Sequence, residues 1–151
     1  MLKYNLSQID NLSKKISFSL SKSDCIFLFG ELGSGKTTFV RSLIHQLQEK
    51  YKLNKTEVTS PTFNLINEYE IKSLKIMHYD LYRLKKKNEI KKIGIFQEDE
   101  EVITIIEWPE IIDKTVKNRL EITFYHQTQP QIRKIKIKGF GKWKGFKINA
   151  V

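Results

Sequence analysis

The chain has one cysteine, Cys25, so no internal disulfide staples it, and its three histidines, at 45, 78 and 126, do not have zinc-ligand spacing. No apolar run approaches the ~18 residues of a membrane span, and the opening Met1-Leu-Lys-Tyr-Asn-Leu-Ser-Gln8 lacks the apolar core of a signal peptide. The expectation is a cytoplasmic protein with no membrane partner. Arginine is scarce: four of the 27 basic residues, the other 23 being lysine. Set against 17 acidic residues, these give a net charge of +10, which invites a nucleic-acid reading. A surface selected for phosphate recognition would use more of arginine's bidentate fork, so the excess reads first as solvated lysine. What remains is ordinary: 151 residues, 40% hydrophobic and 29% charged, enough to bury roughly 68–70% of the unfolded chain's surface as one domain, residues 1–151.

Periodicity supplies the layout. Leu6, Ile9, Leu12, Ile16 and Leu20 recur at helical spacing behind a cap-like Ser7-x-x-Asp10, predicting an amphipathic helix over about the first twenty residues. Cys25-Ile-Phe-Leu-Phe29 is a wholly apolar run ending at glycine, which suits a strand buried on both faces. Phe39, Val40, Leu43, Ile44 and Leu47 mark a second helix from about Lys36 to Glu49. A hairpin is expected from 63–70 and 75–79, a short lysine-punctuated helix ending near Gly94, and, after the acidic run 98–101, an inner strand from Val102 to Ile106. Alternation in Leu120–Tyr125 and Ile132–Lys138 predicts two antiparallel strands at the C-terminal edge of the sheet. The fold class is α/β, a P-loop NTPase-like mixed sheet with flanking helices.

The chemistry starts at Gly30-Glu-Leu-Gly33-Ser34-Gly35-Lys36-Thr37, a full G-x-x-x-x-G-K-[ST] match. Chance produces that pattern in roughly one chain of this length in two hundred, and the flanking strand and helix cut the odds further. Glycines let backbone N–H groups converge on an anion, and the helix adds its positive end. Lys36 would reach the β and γ oxygens, Thr37 would offer a hydroxyl to Mg²⁺, and Thr38 would reach the α or β phosphate. A P-loop needs a carboxylate at the end of a neighbouring inner strand. Glu107, closing the run Val102–Ile106 ahead of Trp108-Pro109, is the first candidate, its alternative being a cap of the following turn; Asp80 in His78-Tyr-Asp-Leu-Tyr-Arg83 is the second, its alternative being a helix cap. Ser60-Pro-Thr-Phe63 sits where P-loop hydrolases keep a switch segment, or is an everyday turn. His78 reads as a packed strand residue rather than a base. Arg83 reads as a partner of phosphate or of carboxylate, and Trp108 as core, stack or gate. No Asn-Lys-x-Asp string follows a strand, so ATP is favoured over GTP.

In this order and in so short a chain, Gly30–Thr38, Ser60–Phe63, His78–Arg83 and Ile106-Glu-Trp-Pro109 resemble the TsaE (YjeE) family of bacterial P-loop ATPases, from the first helix to about Tyr125. The resemblance implies a role in forming threonylcarbamoyladenosine next to the tRNA anticodon. It implies an accessory ATPase that binds TsaB and TsaD and resets or regulates that pair, meeting tRNA through the complex, without performing the transfer itself. Carried onto this chain, it makes Gly33, Ser34, Gly35, Lys36, Thr37 and Thr38 the nucleotide cradle and Thr37 and Glu107 the Mg²⁺ ligands. Lys36, Asp80 and Glu107 become catalytic, and Trp108 becomes a residue beside the nucleotide. No residue in Gln127–Arg133 matches the family's base-binding surface.

Two other functions compete with weak, partner-stimulated ATP hydrolysis. A small-molecule P-loop kinase would use the same loop and Asp80, but would be expected to carry an arginine-rich lid. A tRNA-binding module would rest on the net charge and on the tail Gln131–Lys147, which has seven basic residues and no acidic one.

Overall fold

The computed structural model describes residues 2–96, 101–113, 116–126, 128–129 and 132–147. Of the acidic run 98–101, residues 98–100 lie outside the described residues. Seven strands form one sheet: β1 (Leu2–Asn5), β2 (Cys25–Phe29), β3 (Ile66–Ile71), β4 (Leu74–Asp80), β5 (Ile103–Glu107), β6 (Arg119–Tyr125) and β7 (Ile132–Phe140), in the order β1-β7-β6-β2-β5-β4-β3. The inner strands β6, β2, β5 and β4 run parallel. The pairs β3/β4, β6/β7 and β1/β7 are antiparallel. Strands buried on both faces need mostly apolar side chains on both, which is why β2 reads Cys-Ile-Phe-Leu-Phe and β5 Ile-Thr-Ile-Ile-Glu, with Thr104 and the terminal Glu107 the polar members.

Helices α1 (Leu6–Ser19) and α2 (Lys36–Lys50) pack on one face. Ile9, Leu12 and Ile16 of α1 and Phe39, Val40, Leu43, Ile44 and Leu47 of α2 join Ile26, Leu28, Ile105, Leu120 and Ile122 of the sheet in the larger core. On the other face a smaller core gathers Cys25, Phe27, Met77, Tyr79, Ile106 and Ile112, with Ile90 and Ile93 of the short helix α3 (Lys87–Ile93) laid against it. Cys25 is buried there, and desolvation pushes its thiol well above the ordinary cysteine value. Among the described residues, no helix is long and apolar enough to cross a membrane.

Three expectations need correction. The cap of α1 is Asn5, not Ser7: the Asn5 side chain accepts from Gln8 N at 3.0 Å, and Gln8 Oε1 accepts from Asn5 N at 2.8 Å. Asp10 instead accepts from Ser42 of α2. The C-terminal pair is antiparallel as expected, but β6 runs parallel beside β2, and the outermost strand on that side is β1, too short to show a period of two. The hairpin begins at Ile66 and not at 63, because Leu65 turns with φ 67° and its N–H closes on Pro61 O at 2.6 Å. The basic tail is β7 followed by the short turn Gly141–Trp143, and Lys142 is tied to Asp24.

Gly139 marks where that turn folds back on β7: a Cβ there would lie 1.8 Å from the carbonyl oxygen of Trp143. Backbone cannot swing aside as a flexible side chain can, so Gly139→Ala should cost about 1–3 kcal/mol in urea unfolding. Unchanged stability would mean the turn is not packed as described.

Candidate functional site

The parallel core sets the site, because β2, β4 and β5 deliver their C-terminal ends to one edge. After Phe29 the chain turns through Gly30, with φ 140°, and Gly35, with φ 113°, into α2 at Lys36. Only glycine adopts the Gly30 conformation readily, and a Cβ there would also meet Ser34 Oγ at 2.6 Å and Phe124 O at 2.7 Å. The loop therefore curls tightly over the start of α2, leaving first-turn N–H groups without helical partners.

Lys36 is 4% exposed and folds back on its own loop, donating to Gly30 O at 2.5 Å and Glu31 O at 2.9 Å. Its Nζ stands 4.4 Å from the centroid of the Trp108 ring. Burial lowers its pKa below the ordinary lysine value, against the opposing pull of Glu107, Asp80, Glu110 and Glu31. Neighbouring Thr37 donates its hydroxyl to Glu107 Oε1 at 2.9 Å. The same carboxylate oxygen lies 2.8 Å from His78 Nε2. A carboxylate only accepts, so that nitrogen carries the proton, while Nδ1 has no hydrogen-bond partner. His78 is wholly buried and Glu107 2% exposed.

Asp80 pairs in register with Glu107, which brings two carboxylates side by side at adjacent strand ends. It is 3% exposed and fully engaged: Ser60 Oγ donates at 2.7 Å, Thr62 Oγ1 at 3.0 Å and Tyr82 N at 3.0 Å. Phe63, the next residue after Thr62, projects 86% exposed, with the Arg83 guanidinium 5.6 Å from its ring centroid. Trp108 takes a left-handed φ of 58°, stacks beside Tyr82 at 4.8 Å between centroids, and donates its N–H to Leu28 O.

A cleft of about 280 Å³ runs through these groups. Gly33, Ser34, Gly35, Lys36, Thr37 and Thr38 line it, as do Ser60, Thr62, Asp80, Glu107 and Trp108, so every expected site residue reaches one place. Trp108, half-buried, packs against the smaller core and also forms part of the cleft wall. Arg83 is not in the lining, and His78 is a packed strand residue, as expected, with a hydrogen bond to Glu107 besides. Sequence reasoning missed Tyr4 and Arg133, opposite each other on β1 and β7, which line the far flank with Leu32. Arg133 carried no motif. The two-residue spacing from His78 to Asp80, which puts both on one face of β4, was the available signal for His78.

A hydroxyl and two carboxylates form an oxygen-only cluster suited to a hard divalent cation such as Mg²⁺, and the glycine cradle suits polyphosphate.

A profile of the family described as "Threonylcarbamoyl adenosine biosynthesis protein TsaE" matches residues 4–135. The chain is similar to "tRNA threonylcarbamoyladenosine biosynthesis protein TsaE" of Rickettsia felis, 39% identical over 108 residues, which are 72% of this chain and 61% of that relative. It thus spans less than two thirds of that relative's length. The protein of the same name from Aquifex aeolicus is 39% identical over 122 residues, 81% of this chain and 84% of the relative. Among solved structures, one described as "Crystal structure of Bacillus subtilus YdiB" superposes with a TM-score of 0.67 at 24% identity, covering 93% of this chain and 86% of that one. At that identity it bears on the fold, and the expected P-loop NTPase-like architecture is borne out.

The Asp80 cluster makes a local prediction. Asp80→Ala leaves Ser60, Thr62 and the Tyr82 N–H without their acceptor, at a cost of about 1–3 kcal/mol. Hydrogen–deuterium exchange should accelerate over 60–65 and stay unchanged in α2. Equal protection in both proteins would show that the carboxylate does not hold the segment.

Proposed function

The chain belongs to the TsaE family of threonylcarbamoyl adenosine biosynthesis proteins, and from that premise we propose that it binds ATP with Mg²⁺ and hydrolyses it as an accessory ATPase of tRNA threonylcarbamoyladenosine formation. Its partners in this reading are TsaB and TsaD, whose activity it resets or regulates without transferring the threonylcarbamoyl group. The observation that carries the reading is the hydrogen bond from Thr37 of the P-loop to Glu107 at the end of β5. It joins the two groups that would hold a nucleotide-bound cation.

Each residue has a role. The N–H groups of Gly33 to Thr38 hold the phosphates, and Lys36 exchanges its carbonyl partners on Gly30 and Glu31 for phosphate oxygens. Thr37 and Glu107 hold the cation, with His78 fixing the carboxylate from behind. A divalent cation held by these two residues would supply neutralisation of the phosphate charge. Asp80 is the second carboxylate, orienting the attacking water. Trp108 stands over Lys36, where phosphate binding changes the ring's surroundings.

The kinase reading finds little support. Arg41 is engaged by Val58 O, Arg119 by Glu121 and Val116 O, and Arg83 lies over Phe63, so Arg133 is the one arginine lining the cleft. A phosphoryl-clamping lid needs several.

Purified protein with Mg²⁺ and ATP should turn over slowly and faster with TsaB and TsaD added. Lys36→Ala should lower that turnover about 10²–10³-fold, the usual effect of removing one preorganised electrostatic group. Glu107→Ala should lose the partner-stimulated turnover and need more Mg²⁺ for whatever remains. Turnover indifferent to both partners would remove the accessory role, and phosphoryl transfer to a metabolite in place of water would revive the kinase.

A further inference from the structure

The smaller core stops at β2. Its described members come from β2, β3, β4, β5, α3 and the segments around them, and none comes from β6, β7 or β1. Among the described residues, no helix lies over those three strands on that side of the sheet. Alternation places Ile135 and Ile137 of β7 toward α1 and α2, so Lys134, Lys136 and Lys138 stand on the uncovered side. Register then completes an array: Lys134 lies between Lys3 of β1 and Tyr125 of β6, Lys136 faces Thr123, and Lys138 faces Glu121.

Glu121 is the single acidic residue in this array, and Arg119 takes its carboxylate at 2.9 Å. Among the described residues, no carboxylate lies within ion-pair distance of Lys3, Lys134 or Lys136. Lysines on an edge strand serve to discourage edge-to-edge pairing. That explanation suits Lys3 but not β7, which is paired on both sides. Lys136 and Lys138 also lie beyond the residues matched by the family profile, so they do not follow from family membership.

We propose that this open sheet face, built on Lys3, Lys134, Lys136, Lys138 and Tyr125, binds the phosphate backbone of RNA. Alternate residues of one strand stand roughly 6.7 Å apart, a ladder of single positive charges suited to a chain that repeats single negative ones. Tyr125 beside Lys134 adds a partly exposed aromatic ring on which a base stacks, which an acidic protein surface would not use. Lysine in place of arginine fits a surface that follows backbone charge and reads no base edge. The face is separate from the nucleotide cleft, so the proposal does not depend on the ATPase reading.

The test uses a labelled tRNA transcript and fluorescence anisotropy between 50 and 200 mM salt, comparing the full chain with two triple variants of equal charge change. One is Lys134→Gln/Lys136→Gln/Lys138→Gln. The other is Lys87→Gln/Lys91→Gln/Lys92→Gln on α3. The parent's log affinity should fall with log salt at a slope of about −3, from four phosphate contacts at ~0.7–0.9 each. The β7 variant should bind at least tenfold more weakly at 50 mM and flatten that slope by about 2. The α3 variant should match the parent, and thermal melts should show all three folded. Equal losses in both variants would reduce the effect to net charge and overturn the proposal, as would an unchanged β7 variant or a parent that does not bind at 50 mM. Polyglutamate competing as well as tRNA at equal charge would overturn RNA as the occupant in favour of an acidic protein.

Discussion

The parallel register of β2, β5 and β4 is the constraint on which the cleft depends. Leu28 aligns with Glu107, and Glu107 with Asp80, so the strand that launches the P-loop and the two strands that bear carboxylates end at one level. A slip of one residue in β5 would turn Glu107 to the opposite face and bring Ile106 to the hydroxyl of Thr37. What forbids the slip is the burial of β5 on both sides, with Ile103 and Ile105 in the larger core and Ile106 in the smaller. The hydrophobic cores thus act as the ruler for the polar site.

That site carries an electrostatic cost that its internal pairing offsets. Lys36, His78, Asp80 and Glu107 are all nearly or wholly buried, and unpaired ionised groups in such surroundings would be strongly unfavourable. Each charge has an answer: Lys36 has two carbonyl oxygens and an indole face, Glu107 has Thr37 and His78, and Asp80 has two hydroxyls and an amide. Two of those answers are temporary in kind. Under the proposed function, phosphate and cation would replace the loop carbonyls at Lys36 and the hydroxyl on Glu107, an exchange of partners within this frame.

Legibility in the sequence followed the same division. The P-loop, β2, α2 and β5 could be read because strong local signals, a glycine motif and unbroken apolar runs, coincide with the elements that tertiary packing also demands. Lys36, Thr37, Asp80, Glu107 and Trp108 could be placed because strand ends are where open α/β sheets collect ligands. What escaped depends on pairing between distant segments. β1 is four residues long and exists through its bonds to β7, and Asn5 caps α1 because β1 delivers it there. Phe63 looked like strand by composition, yet the closure of Leu65 on Pro61 leaves it projecting. The engagement of Ser60 and Thr62 by Asp80 is likewise a contact across about twenty positions that no local pattern records.

The two faces of the sheet are finished differently, and β7 belongs to both. Its residue 133 turns toward the cleft beside Tyr4, while residue 134 turns to the uncovered lysine face beside Tyr125. Adjacent residues of a strand point to opposite sides, so a displacement of β7 at either surface is felt at the other with no intervening side chain to absorb it. β7 is also held loosely on one flank, by the short strand β1, and firmly on the other, by β6 along its length. It is thus the strand that joins the flank of the cleft to the lysine array.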